Sequence, residues 1–367
     1  MPILRSLVLI LTLFHLTVAL CDRQVAPPSL SASDRASIIE NLIKKLEANY
    51  VYPEVAKKMA SALRARQASN AYAGIGSGPQ FAETVTKDLI GISHDKHIGL
   101  EYSTDPNPYD SEKPPDPEVV RKFREMGRRA NFEYKKVERL EGSIGLLEVD
   151  GFYPGEWAGD TVSAAMSFLS NSDAVILDLR HNHGGFGNGP GLLCSYFFDE
   201  ETRLADSYNR ITNVTQEIST YPLASRAKLS KQGLYILTSR DTFSAAEWVA
   251  YTLQALKRAT IVGETTGGGA HGTTMFSVGA HFSASIPFSR GINPVTKKDW
   301  EGVGVKPDVA VPADEALLTA HLMALRASFR AHAGDKAIAE GLSLVITKKE
   351  AELESLRESK KGPRSGG

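Results

Sequence analysis

Apolar positions follow two different periods along this chain, and the change of period divides it. Before residue 92 the spacing is helical: Ile38, Ile39, Leu42, Ile43 and Leu46 mark one face of a helix opened by Ser31-Ala-Ser-Asp. Two more helices are expected over about 53–67 and 78–89. Beyond residue 142 short apolar runs alternate with amphipathic segments. Strands are expected at 143–149, 174–179, 234–237 and 260–264, with helices at 157–169, 192–198 and 244–256 between them. Residues 275–288 alternate like a hairpin or an edge strand, and helical patterns return at 313–330 and 338–356. Between the two regimes, Asp105-Pro-Asn-Pro and Lys113-Pro-Pro-Asp-Pro mark an exposed linker. The alternation implies an α/β core in which helices cover a mainly parallel sheet.

Charge and cysteine content narrow the function. A net charge of −1 gives no electrostatic case for nucleic acid or for an anionic membrane surface. Two cysteines, Cys21 and Cys194, cannot build a cysteine zinc cluster. Arg5 precedes an apolar run from Leu7 to Leu20. That run falls short of the roughly 20 residues a spanning helix needs, so residues 1–21 read as a secretory signal. The expectation is a secreted or periplasmic protein with no integral membrane segment after signal removal. Val18-Ala19-Leu20-Cys21 resembles a bacterial lipoprotein box, which leaves a lipid anchor at Cys21 open. Asn213-Val214-Thr215 is a glycosylation sequon, relevant only in a eukaryotic secretory pathway. The tail over 360–367 has a disordered composition. The pattern leaves open whether the chain forms an oligomer.

The chemistry concentrates in Thr238-Ser-Arg-Asp-Thr-Phe-Ser-Ala-Ala-Glu. A strand, a sharp turn and a helix starting at Ser244 would set a hydroxyl beside a helix N-terminus. There, unbonded N–H groups and the positive end of the dipole stabilise a forming oxyanion. The same residues also spell a helix cap, with Glu247 three positions after Ser244. Both readings stand from this window alone. His94, His97, His181, His183 and His271 could serve as bases or metal ligands, but no His-Glu-x-x-His spacing occurs and no metal is expected. Gly263-Glu-Thr-Thr lacks the Gly-Lys-Ser/Thr of a phosphate loop, so no nucleotide cofactor is expected either.

Four segments carry a resemblance: Ile92-Ser-His-Asp-Lys-His-Ile-Gly-Leu; Leu177-Asp-Leu-Arg-His-Asn-His-Gly-Gly-Phe-Gly; the Ser244 turn with Gly263-Glu-Thr-Thr-Gly-Gly-Gly-Ala-His; and Trp300-Glu-Gly-Val-Gly-Val-Lys-Pro-Asp. Together, over about residues 30–315, they resemble the C-terminal-processing (tail-specific) serine peptidase family. The branch is the one holding the modules of interphotoreceptor retinoid-binding protein. The resemblance implies a helical N-terminal domain at 30–103, a linker at 104–117 and a ClpP/crotonase-like peptidase core at 118–315. C-terminal helices and tail then occupy 316–367. It implies peptide-bond hydrolysis of polypeptide substrates, with Ser244 as nucleophile.

Where the family's main branch carries a lysine base, this chain has Gly269. A second branch, resembling tricorn protease, uses a histidine and a glutamate instead. That pattern falls on His97 and Glu301, although Lys96 stands where tricorn has a serine. The implied catalytic set is Ser244, His97 and Glu301, with N–H groups of Ala245 and of Gly184 or Gly185 as the oxyanion hole. His271, just past the glycine run, is the rival base. Residues 104–142 are too short for a PDZ domain, so substrate choice would rest on the core cleft and the helical domain. A non-catalytic module binding a retinoid or lipid-like ligand on the same fold is the alternative, and an esterase using the same serine is a third reading.

Overall fold

The computed structural model describes residues 29–104, 110–223 and 228–360. The expected signal at 1–21 and its Cys21 box lie outside the described residues, as do Asp105-Pro-Asn-Pro and residues 361–367 of the tail. The helices are α1 (Ala32–Asn49), α2 (Pro53–Ala68), α3 (Gly78–Ser93), α4 (Pro117–Arg129), α5 (Gly155–Leu169), α6 (Gly189–Ser195), α7 (Ala245–Ala255), α8 (Ala313–Ala331) and α9 (Lys336–Lys360). The strands are β1 (Gly99–Tyr102), β2 (Tyr134–Leu140), β3 (Ile144–Val149), β4 (Ala174–Asp178), β5 (Arg203–Asn209), β6 (Val214–Ser219), β7 (Gly233–Thr238), β8 (Thr260–Gly263), β9 (His271–Gly279), β10 (Phe282–Ile292) and β11 (Val309–Ala310). This is the expected mixed α/β class with a helical N-terminal region. Among the described residues no helix is long and apolar enough to cross a membrane.

The chain divides into two compact units. The first takes residues up to Phe123 together with Asp206–Gln216 and His271–Ile292. Its α1 starts in a reciprocal cap, Ser31 Oγ accepting from the Asp34 N–H and Asp34 accepting from the Ser31 N–H at 3.0 Å. The buried stripe Ile38, Ile39, Leu42, Ile43 and Leu46 packs with Met59 and Leu63 of α2 and with Phe81, Val85 and Leu89 of α3. It closes on Phe276, Val278, Phe282, Ala284 and Ile286 of β9 and β10. Each such side chain contributes roughly 1.5–3 kcal/mol when fully buried. β10 pairs antiparallel with β1, β9 and β5.

The second unit takes Arg124–Ala205, Glu217–Ala270 and the chain from Asn293. Its sheet runs β11-β8-β7-β4-β3-β2, parallel except for the antiparallel β2–β3 pair. β4 is buried along its whole length, which is why it reads as an unbroken apolar run rather than an alternation. Ala316, Ala320 and Ala324 let α8 approach closely against Ile144, Ile176, Leu237 and Val262. β4 and β7 are neighbours in this sheet, so the loops leaving their carboxyl ends emerge side by side. Ligands of open parallel sheets bind at those ends.

The contacts group the chain differently from the expected stretches. Residues 206–216 and 271–292, placed in the core by the sequence reading, group with the N-terminal helices: β9 and β10 pack on α1, and β5 joins through its pairing with β10. The alternating face of β9 and β10 supplies the apolar surface that three short helices need. α8, expected as a terminal helix, is a layer of the core. Of the two readings of 275–288, hairpin or edge strand, the hairpin forms: β9 and β10 pair antiparallel about residues 280–281.

Candidate active site

On the second unit the site is built around the turn after β7. Ser244 has φ 55° and ψ −119°, a conformation in which a side chain other than glycine's is strained. Such strain costs of order 1–3 kcal/mol and persists only where surrounding contacts hold it. Those contacts are visible. The Phe243 N–H donates to the Asn182 carbonyl at 3.0 Å. Buried Asn182 in turn accepts the Gly184 N–H on Oδ1 (2.8 Å) and donates Nδ2 to the Val149 carbonyl (2.9 Å). Thr242 Oγ1 and Ser239 Oγ donate to the Leu179 and Arg180 carbonyls at 2.8 and 2.5 Å. The loop after β4 and the serine turn are therefore one bonded assembly. Arg180 is itself fixed at the sheet end by Asp178 at 2.6 Å and by the Ala313 carbonyl at 2.8 Å.

Gly184 is packed so tightly on the serine that a Cβ there would sit 2.7 Å from Ser244 Cβ, and its φ is +106°. Its N–H is already given to Asn182, so Gly184 supplies room rather than a donor. Gly185 (φ +141°) lies against Phe152, where a Cβ would meet the Phe152 carbonyl oxygen at 2.1 Å. Ala245 is the first residue of α7.

Glu247 turns out to be more than a cap. Its buried carboxylate accepts the N–H of Ser244 (2.8 Å), Gly268 (2.6 Å) and Gly269 (2.8 Å) and the Thr266 hydroxyl (2.5 Å). Burial pushes this carboxyl above the ordinary glutamate range, and the donated bonds pull it back. Gly269, where the main branch of the resembling family carries lysine, is held on both sides, since its carbonyl accepts Trp300 Nε1–H at 2.9 Å. Glu301 Oε2 accepts the Ala270 N–H at 2.5 Å. The glycine run that leads into His271 is thus clamped by Glu247 and Glu301.

On the first unit the histidines group around buried Asp95. His271 Nδ1 lies 2.6 Å from Asp95 Oδ2, and Tyr50 Oη donates to the same oxygen at 3.2 Å. His97 gives its backbone N–H to Asp95 Oδ1 at 2.9 Å, while its ring Nδ1 stays 3.9 Å from that carboxylate. Burial drives His97 down to about 4, opposed by the Asp95 charge. Asp95 itself ends below the usual carboxylate range: burial would raise it, and the His271 hydrogen bond and charge outweigh that. His94 caps α3 in a left-handed conformation and is exposed, as are His181 and His183. Asp95, Asn182 and the bridging role of Glu247 escaped the sequence reading, because their partners are backbone groups or residues far along the chain.

Two segments of the chain match family models. The model described as Peptidase family S41 matches residues 143–311, and the one described as the N-terminal domain of Peptidase_S41 in eukaryotic IRBP matches residues 32–131. A carboxyl-terminal-processing protease of Picosynechococcus sp. is 26% identical over 182 residues, covering 49% of this chain and 42% of the relative. One from Synechocystis sp. is 30% identical over 171 residues, covering 46% and 38%. This chain therefore matches less than half the length of either relative. Among solved structures, the photosystem II D1 C-terminal processing protease aligns with a TM-score of 0.50 at 14% identity, covering 77% of this chain and 94% of that one. At that identity the likeness is one of fold.

Proposed function

We propose that this chain, whose residues 143–311 match the Peptidase family S41 model, is a serine peptidase in which Ser244 is the nucleophile and His271, oriented by Asp95, is the base. The observation that carries the reading is the backbone of Ser244, held at positive φ against a glycine that leaves no room for a side chain. A helix cap needs no such strain. His271 takes the role in preference to His97 because its Nδ1 lies 2.6 Å from an Asp95 oxygen, whereas the His97 Nδ1 lies 3.9 Å from that carboxylate. That bond fixes the tautomer with the basic lone pair on Nε2, the arrangement a triad needs. A ring held down to about 4, as His97 is, is poorly matched to proton transfer near neutral pH.

In this account Ser244 Oγ adds to the carbonyl carbon while its proton passes to His271 Nε2. The charge that forms on the carbonyl oxygen is met by the N–H groups of Ala245 and Gly185, at the positive end of α7. Collapse breaks the C–N bond, and His271 returns the proton to the departing amine. A water then attacks the acyl-enzyme by the same route in reverse. Asp95 stays ionised and stabilises the imidazolium. Glu301 is a positioning residue, acting through the Ala270 N–H on the residue that precedes His271. In this reading polypeptides are the substrates, and the apolar run Leu7 to Leu20 supports action outside the cytoplasm. Incubating the mature protein with unfolded casein, with products read by mass spectrometry, tests the reading. Cleavage by the wild type that disappears in Ser244→Ala is expected; cleavage that persists in Ser244→Ala contradicts it.

A further inference from the structure

We propose that Arg290 is a specificity residue, an anchor for a carboxylate that the substrate carries within about three residues of the bond cut. The proposal rests on the peptidase reading above and adds a substrate class to it. Arg290 lies on β10, paired in register with His271 of β9 on one side and Tyr208 of β5 on the other. Directly opposed residues of antiparallel strands point to the same face, so His271, Arg290 and Tyr208 form one row. Tyr52, at the N-cap of α2, joins that row: its ring centroid is 5.5 Å from the His271 ring and 5.5 Å from the Arg290 guanidinium carbon. Tyr208 approaches the same carbon at 5.9 Å.

Two aromatic rings thus hold the guanidinium in place beside the proposed base. Neither ring offers the guanidinium an acceptor oxygen through these contacts, which leaves its fork of N–H donors, the part that matches a carboxylate. Arg180 and Arg258, also half-buried, are met by acceptors: Arg180 by Asp178 at 2.6 Å, Arg258 by the Phe197 carbonyl at 2.9 Å. Among the described residues no carboxylate pairs with Arg290, whose contacts are the two rings. A half-buried cation so placed calls for an anion supplied from outside. Both the imidazole and the guanidinium sit 5.5 Å from the Tyr52 ring, so they are at most about 11 Å apart. An extended peptide advances about 3.3 Å per residue, which sets the three-residue reach. The carboxylate could be that of an Asp or Glu side chain or the free C-terminus.

The test uses one peptide in matched forms: Glu or Gln at each of the three positions on either side of the scissile bond, and a free acid or an amide at the C-terminus. Wild type, Arg290→Gln and Arg290→Lys are compared, with circular dichroism confirming that each is folded. Arg290→Gln is expected to raise KM for the preferred carboxylate peptide roughly tenfold or more and to leave kcat within about twofold, the signature of lost uniform binding. The neutral peptides should respond little to the change, and Arg290→Lys should recover part of the loss. The Glu/Gln arm and the acid/amide arm identify the source of the carboxylate. Anisotropy binding to Ser244→Ala and to Ser244→Ala/Arg290→Gln reads the same preference without turnover. Carboxylate preference in binding with no cleavage by the wild type would overturn the peptidase reading and keep the anchor. Cleavage with equal KM for acidic and neutral peptides, or an equal effect of Arg290→Gln on both, would overturn the anchor.

Discussion

At the scale of single residues, strain and tautomer carry the account. Ser244 adopts a backbone that glycine accepts freely, so Ser244→Gly should raise unfolding stability by about 1 kcal/mol while abolishing hydrolysis. Urea denaturation checks the first half, and a loss of stability would mean that the serine conformation is not strained. Asp95→Asn should keep the fold near His271 but reverse the tautomer, with a fall in kcat of roughly 10⁴. A fall of less than tenfold would show that Asp95 does not orient the base. The turn of the proposed nucleophile was legible because it is local: strand, bend and helix lie within one short segment. The choice between the two histidines proposed as base was not. Neither His97, between Lys96 and Ile98, nor His271, between Ala270 and Gly272, has a local signature of a base, and the carboxylate that separates them is 176 residues from His271. Glu247 was legible as a cap, but its other partners are glycine N–H groups, which every residue but proline possesses.

At the scale of elements, burial decided what could be read. β4 and β7 were evident as apolar runs because helices cover both faces of a parallel sheet. β2 and β6 were missed, since their residues are largely exposed and lack a clear alternation. The pattern of α8 predicted a helix but not where it packs. Only the structure shows that its alanines form the contact face. Fully buried Ala320 leaves no space, so Ala320→Leu should destabilise by about 1–3 kcal/mol through overpacking. A denaturation midpoint unchanged from wild type would place α8 off the sheet.

At the scale of the whole molecule, protons link the site to stability. Burial holds His97 neutral, with a folded value of about 4 against 6.5 for the free side chain. A depressed value favours folding above pH 6.5, and that contribution is lost as pH falls from 6.5 toward 4. The loss amounts to about 3 kcal/mol. Buried His321, also held down, adds in the same direction. Replacing His97 with Asn should flatten the stability–pH curve between those limits, and an unchanged slope would contradict the burial of a neutral ring. The discontinuous first unit could not be read from the sequence, because its later segments look like any strand of an α/β core until their partners are known. The central claim is an activated Ser244 served by His271. Its most direct measurement is fluorophosphonate labelling of the mature protein, read by intact mass and peptide mapping in the wild type and in His271→Ala and His97→Ala. The account predicts a single adduct on Ser244, lost in His271→Ala and retained in a folded His97→Ala variant. Labelling that survives His271→Ala but vanishes in His97→Ala would return the base to His97. No adduct on the folded wild type would leave Ser244 a strained helix start and favour a ligand-binding module.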